Sequence, residues 1–251
     1  MVLRASGLRT LPEPRGRRED AELPLRPTTL LSPAPDTTAA APNLLAHLQP
    51  GTVAAVLALG RRRDYRIGEL LFRQGDSHDG IFLIESGLVK SYYISEEARE
   101  LTLGYWTQGH YVGAPQIFGG GRHAWTSVAV ARTRCLELPG PELRALSAHH
   151  ADLALGLIDA LVHKTQCYCA LLQLLATHSM RGRLARLLAM LAARENGAVR
   201  GLSHGELASM IGSTRQWVSL TLARFQDEGI IARGPEGCYR VLDHAALSAV
   251  R

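Results

Sequence analysis

The stretch that most restricts what this chain can fold into runs from Leu202 to Gln226, L-S-H-G-E-L-A-S-M-I-G-S-T-R-Q-W-V-S-L-T-L-A-R-F-Q. It predicts two short helices joined by a tight turn. Ser203 is a good N-cap, and Glu206 three residues on completes a capping box. Leu207, Met210 and Ile211 give the first helix one apolar face. Gly212 is where that helix should stop, because a turn needing positive φ is cheapest at glycine. Ser213 or Thr214 caps the second helix, whose apolar stripe is Val218, Leu222 and Phe225. Arg215, Gln216 and Ser219 are left on its exposed side. A short helix, a glycine turn and a helix offering Arg and Gln near its N-terminus have the form of a helix-turn-helix. In a major groove Arg can bond guanine bidentately and Gln can bond adenine. An αα-hairpin with a solvated polar face is the competing explanation.

Charge is distributed in favour of DNA. The 251-residue chain carries a net charge of +5. Residues 61–176 hold twelve basic and twelve acidic side chains, while residues 177–251 hold ten arginines against six acids. The excess therefore sits with the helix-turn-helix, as a phosphate-facing module requires. No apolar run approaches the roughly 20 residues needed to span a bilayer. Four scattered cysteines, Cys135, Cys167, Cys169 and Cys238, form neither a zinc knuckle nor a thioredoxin-type pair, and indicate free thiols in a reducing, cytoplasmic compartment. No metal site, P-loop, nucleophile elbow or paired carboxylate is spaced for catalysis, so the chain is not expected to be an enzyme.

Residues 1–42 are rich in Pro and Arg without periodicity and read as a disordered tail. Leu44 to Leu59 reads as an amphipathic helix burying Leu45, Leu48, Val53, Val56 and Leu57. From Arg62 to Leu138, short β-type runs alternate with glycines, the pattern of a barrel or sandwich. A short helix opens at Pro139, and a long one follows from about His150 to Leu175. Its apolar positions Ala154, Ile158, Leu161, Thr165, Tyr168, Leu172 and Leu175 make a heptad seam, and Leu153, Ala160, Cys167 and Leu174 make a second face. Two apolar sides suggest a parallel homodimer, although a helix buried within one protomer would look alike. A third helix spans Arg181 to Ala193. Beyond the helix-turn-helix, Ile230–Arg233, a Gly-Pro-Glu-Gly turn and Tyr239–Leu242 read as a hairpin, a wing.

The order of these parts resembles the Crp/Fnr family of bacterial transcription regulators over about residues 44–250. The residues carrying it are Gly75-Asp76 in F-R-Q-G-D, the run I-F-L-I-E-S-G-L-V-K with Gly87, Gly109 and Gly113 in G-H-Y-V-G, and E-L-A-S-M-I-G-S-T-R-Q-W-V-S. The resemblance implies an α+β fold: a jelly-roll-like, eight-stranded β-roll over residues 43–148, a dimerisation helix over 149–176, and a winged helix-turn-helix domain over 177–251. The implied partners are double-stranded DNA, a second copy of the chain, and RNA polymerase, for which spacing marks no surface. Arg215 stands where the family's guanine-contacting arginine is found, and Gln216 where a glutamate accepting from cytosine is common. Leu220 replaces a frequent second Arg. Ser203, Ser213, Thr214 and Ser219 complete the expected DNA face. Trp217 either lies along a sugar-phosphate edge or packs against the wing. A ligand-binding regulator acting through protein contacts is the alternative of another class.

Cyclic-nucleotide-binding members carry a G-E motif and an Arg-Ser or Arg-Thr pair. Here the run is G-A-P-Q-I-F-G-G-G-R-H-A-W-T-S. The corresponding pocket would be Gly113, Ala114, Pro115, Arg122, Trp125 and Thr126, with Ala114 in place of the Glu and Trp125-Thr126 in place of Arg-Ser. Only Arg122, three residues early, could meet the phosphate, and Pro115 lacks an N–H. A cyclic nucleotide is therefore not expected. Residues 1–134 contain no cysteine, which argues against an iron–sulfur cluster. Haem, with an axial ligand from His110, His123, His163 or His178, and another small-molecule effector remain open alternatives. Cys167 and Cys169, about 200° apart on the long helix, read as two small packing residues before a redox pair. Ala98 stands where the family has a turn glycine, which leaves that turn's type open.

Overall fold

The computed structural model describes residues 43–78, 80–113 and 120–250. The expected disordered tail, and Ala114 and Pro115 of the expected pocket, lie outside them. After a turn at residues 44–47, helix α1 spans Pro50–Leu59. It starts later than the apolar pattern suggests because Pro50 takes the first helical position, which fixes the boundary at Gln49. Leu44 and Val56 are buried, and Leu45, Leu48 and Leu57 pack against the same cluster.

Among the described residues ten strands follow: β1 (Arg61–Tyr65), β2 (Leu70–Phe72), β3 (Ser77–His78), β4 (Gly80–Ser86), β5 (Val89–Ile94), β6 (Glu100–Trp106), β7 (Tyr111–Gly113), β8 (Gly121–Arg122), β9 (Thr126–Ala129) and β10 (Thr133–Pro139). They form two four-stranded antiparallel sheets, in the orders β1-β10-β4-β7 and β2-β9-β5-β6, plus the ribbon β3-β8. This is the eight-stranded roll the resemblance implied, with a small extra ribbon. Tyr65, Phe72, Ile84, Val89, Trp106, Val112 and Cys135 belong to one buried cluster drawn from both sheets. Gly87 turns β4 into β5 at φ +96°, and a Cβ there would sit 2.4 Å from the Arg132 carbonyl oxygen. The next hairpin closes with Ala98 at φ +59°, so the left-handed turn survives without its glycine.

Helices α2 (Gly140–His149) and α3 (Ala151–Thr177) lead away from the roll. Leu153, Leu157, Ala160, Cys167 and Leu171 of α3 are buried, which matches the expected second face except at the half-buried Leu174. The outward stripe differs from the expected seam. Leu155, Ile158, Leu161, Val162 and Leu172 are the exposed large apolar residues, with Thr165 and Cys169 exposed between them. Tyr168 instead turns inward and meets the rings of Trp106 and Trp125 edge-on, at 6.4 and 6.5 Å between centroids. Leu175 is half-buried and faces Gly212. The cause is phase: residues 161 and 162, 168 and 169, and 175 and 176 are apolar neighbours about 100° apart. Either member of each pair can continue a heptad through Ile158, Thr165 and Leu172. The two tryptophans of the roll take Tyr168.

The C-terminal part consists of α4 (Met180–Arg194), β11 (Ala198–Val199), α5 (His204–Ile211), α6 (Arg215–Asp227), β12 (Ile231–Arg233), a 3-10 turn at Pro235–Gly237, β13 (Tyr239–Val241) and α7 (His244–Ala249). The expected wing is therefore β12–β13, and β11 adds a third strand in the order β11-β13-β12. Neither β11 nor α7 was anticipated.

This part packs directly on the roll. Thr102 Oγ1 of β6 and Ser209 Oγ of α5 lie 2.9 Å apart, both buried. Leu88 and Tyr105 of the roll join one apolar cluster with Leu184, Leu188, Leu207, Met210 and Phe225. The Arg183 guanidinium donates to the carbonyls of Leu175 at the end of α3, His178 just beyond it, and Ile211 at the end of α5.

Candidate nucleic-acid interface and effector pocket

The local chemistry of the helix-turn-helix accounts for its shape. Ser203 Oγ accepts from Glu206 N at 3.2 Å, and a Glu206 carboxylate oxygen accepts from Ser203 N at 2.7 Å, closing the predicted capping box. Gly212 ends α5 at φ +67°, ψ 39°, the left-handed conformation. Of the two candidate caps for α6, Thr214 is the one used: its Oγ1 accepts from Trp217 N at 3.3 Å. Val218, Thr221, Leu222 and Phe225 are buried. The indole of Trp217 is half-buried and packs against the same core.

The opposite side of α6 is open. Arg215, Gln216, Ser219, Leu220, Ala223 and Arg224 are exposed, as is Thr214, while Ser213 is half-buried. At 100° per residue, Gln216, Ser219, Leu220 and Ala223 fall within about 100° of one another and form the crest. Arg215 and Arg224 flank it on either side. Among the described residues, Arg215, Arg224, Arg233 and Arg240 have no carboxylate within ion-pair distance. Arg233 and Arg240 are exposed on the wing. His204 at the start of α5 ties the parts together. Its Nε2 lies 2.8 Å from the Tyr239 hydroxyl, and its pKa is held down first by burial and then by the charges of Arg215 and Arg233. Helix α6 and the wing thus contribute to one positive field. Sequence spacing missed Arg233 and Arg240, because a wing's cations follow no fixed offset from the recognition helix; only the arginine excess of this segment hinted at them.

Four residues of the expected effector pocket are described, and each is held within the roll or against α3. Arg122 is exposed and donates to the Gly75 carbonyl at 2.7 Å. Thr126 is buried, and its Oγ1 accepts from Gln74 N at 3.0 Å. Trp125 is half-buried against Tyr168. Gly113, at φ +148°, lies on β7 close to the Gly80 carbonyl. None of these four lines the cleft of about 390 Å³ beside β2, β4 and β10, whose walls include Phe72, Asp76, Phe82, His123 and Glu137.

Between the roll and α3 lies a second cluster. The Lys164 ammonium sits over the Trp106 ring at 3.7 Å and the Tyr111 ring at 4.8 Å, and burial pushes its pKa down to about 7. His110 is buried beside it, with its ring 5.6 Å from that of His163. Of the other histidines open as haem ligands, His123 is buried and stacked on Phe72 at 3.6 Å. His178 lies at the end of α3, its Nδ1 2.8 Å from the Thr177 hydroxyl.

The comparisons with known proteins match both halves. Residues 62–150 match the cyclic nucleotide-binding domain family, and residues 182–250 match the Crp-like helix-turn-helix domain. Two such domains in this order, joined by a long helix, decide the assignment. The chain belongs to the Crp/Fnr family of transcription regulators. This Crp/Fnr regulator is 29% identical over 203 residues to the cyclic AMP receptor protein of Thermus thermophilus, covering 81% of this chain and 94% of that one. It is 28% identical over 200 residues to the fumarate and nitrate reduction regulatory protein of Salmonella typhimurium, covering 76% and 78%. Its fold is that of the c-di-GMP-responsive global regulator CLP of Xanthomonas campestris, with a TM-score of 0.68 at 23% identity over 78% of this chain and 100% of that one.

Proposed function

We propose that this Crp/Fnr regulator acts as a homodimer on a pseudo-palindromic operator, with each α6 entering a major groove, and that it does so without a cyclic nucleotide. The observation carrying the first part is the open face of α6, where Arg215 and Gln216 stand exposed on the first helical turn and, among the described residues, no carboxylate lies within ion-pair distance of the arginine. Arg215 reads guanine; Gln216, both donor and acceptor, suits adenine. Ser219 lies one turn on. Ser203, Ser213 and Thr214, at or beside the two helix N-termini, with Arg233 and Arg240 on the wing, suit phosphates. The exposed stripe of α3 supports pairing of two copies along that helix, through Ile158, Leu161, Thr165 and Leu172 as expected and through Leu155 and Val162 in addition.

The second part rests on charge. A cyclic phosphate buried without a paired cation costs several kcal/mol. Arg122, the nearest candidate, is engaged with Gly75. Trp106, Trp125 and Tyr168 fill the junction between roll and helix.

Selection from random duplexes tests both parts. A pseudo-palindrome with half-sites about 10 bp apart is expected, with an affinity that falls steeply as salt rises. Binding without sequence preference at moderate salt overturns the first part. A gain in operator affinity on adding cyclic AMP or cyclic GMP overturns the second.

A further inference from the structure

Leu220 is 65% exposed on α6, among the most open large apolar side chains described. A single exposed leucine is ordinary on a protein surface. This one is not isolated in place. It follows Gln216 by four residues and precedes Ala223 by three, so the three are neighbours on one face of the helix. The row changes character along its length: Gln216, then Ser219 and Leu220, then Ala223. The charges flank it at Arg215 and Arg224 and do not interrupt it. The Leu220 side chain is outside the apolar cluster that holds Val218, Leu222 and Phe225.

We propose that Leu220 is a specificity-determining residue that packs on the 5-methyl group of a thymine in the operator. This rests on α6 being the helix that enters the groove. The thymine methyl is the one apolar feature on a major-groove base edge, and an aliphatic side chain is the group that reads it. An arginine or lysine would read a guanine at this point of the helix, whereas leucine presents no donor and leaves that guanine's acceptors unpaired. Leu220 stands about 6 Å along the helix from Gln216, roughly two base-pair steps. The thymine is therefore placed one or two base pairs from the pair Gln216 faces, in both half-sites. Ala223, one turn further, extends the apolar surface.

The test uses the operator recovered by selection, resynthesised with deoxyuridine in place of each thymine in turn. Uracil keeps every hydrogen-bonding group and lacks only the methyl. The wild-type protein should bind about fourfold more weakly per half-site at one position, the worth of one buried methyl. Leu220→Ala should be indifferent to the same replacement while staying dimeric and sensitive to changes of the bases Arg215 and Gln216 face. Leu220→Met, still apolar, should keep the discrimination. Wild-type binding unaffected by uracil at every position overturns the proposal, and so does Leu220→Ala showing the full wild-type loss. If no operator is recovered, the assignment of α6 as the groove-entering helix fails, and this proposal with it.

Discussion

Arg215 and His110 show how differently single residues enter the account. Arg215 is exposed and has no ion-pair partner among the described residues, so Arg215→Ala should leave the melting temperature nearly unchanged. It should weaken operator binding by about 1–3 kcal/mol and relax one base position in each half-site. Fluorescence anisotropy and a repeated selection measure the two effects; an unchanged selected motif would contradict the assignment. His110 is the reverse case. Its Nδ1–H donates to the Thr107 carbonyl at 3.2 Å, leaving Nε2 buried without a hydrogen-bond partner among the described residues. Burial first, and then the charge of Lys164, push its pKa down from 6.5 to about 4. The unfolded chain therefore takes up this proton at a higher pH than the folded one. The stabilising term is complete above about pH 6.5 and is lost as pH falls through about 4, an upper bound of about 3 kcal/mol. Urea unfolding at pH 7 and pH 4.5 should show the loss, and His110→Gln should reduce it. The caps at Ser203 and Thr214 were legible in the sequence because a cap is a local pattern of three or four residues. The Thr102–Ser209 contact was not, since two hydroxyls 107 residues apart leave no periodic trace.

At the level of elements, α3 is the instructive case. Its length and two apolar faces could be read from spacing, and five of its residues are buried, four of them in the two clusters that include strands of the roll. The phase of the outer stripe could not be read, because Leu161 and Val162, or Tyr168 and Cys169, satisfy a heptad equally well. Partner side chains settle it, and spacing does not contain them. The outward and inward positions consequently differ in what they support. Leu172→Glu or Ile158→Glu should convert dimer to monomer in sedimentation and lower operator affinity by more than tenfold, with the protomer still folded. Tyr168→Ala should leave the dimer formed but destabilise each protomer by about 2 kcal/mol, because it opens the ring cluster with Trp106 and Trp125. A dimer that survives Leu172→Glu would rule out this face of α3. The glycine-marked turns of the roll were also legible, including the one at Gly87. The type of the turn at Ala98 was not, because alanine does not announce a positive φ.

Across the whole molecule, the two parts that sequence separates are joined by one core. Leu88 and Tyr105 of the roll belong to the cluster built by α4, α5 and α6. An isolated C-terminal part would expose that face, so calorimetry should record a single unfolding transition for the intact chain. Two resolved transitions would show the shared cluster to be weaker than its burial indicates. Arg183 gives this union a direction. One cation serves three carbonyls, at the end of α3, just past it, and at the end of α5, where the helix dipoles leave partial negative charge. The axle on which two copies would turn and the scaffold under the reading helix are thus geared through a single tooth. In the proposed dimer, a rotation of one α3 against the other would pull on these three bonds, so the distance between the two α6 helices would depend on a residue that meets no base.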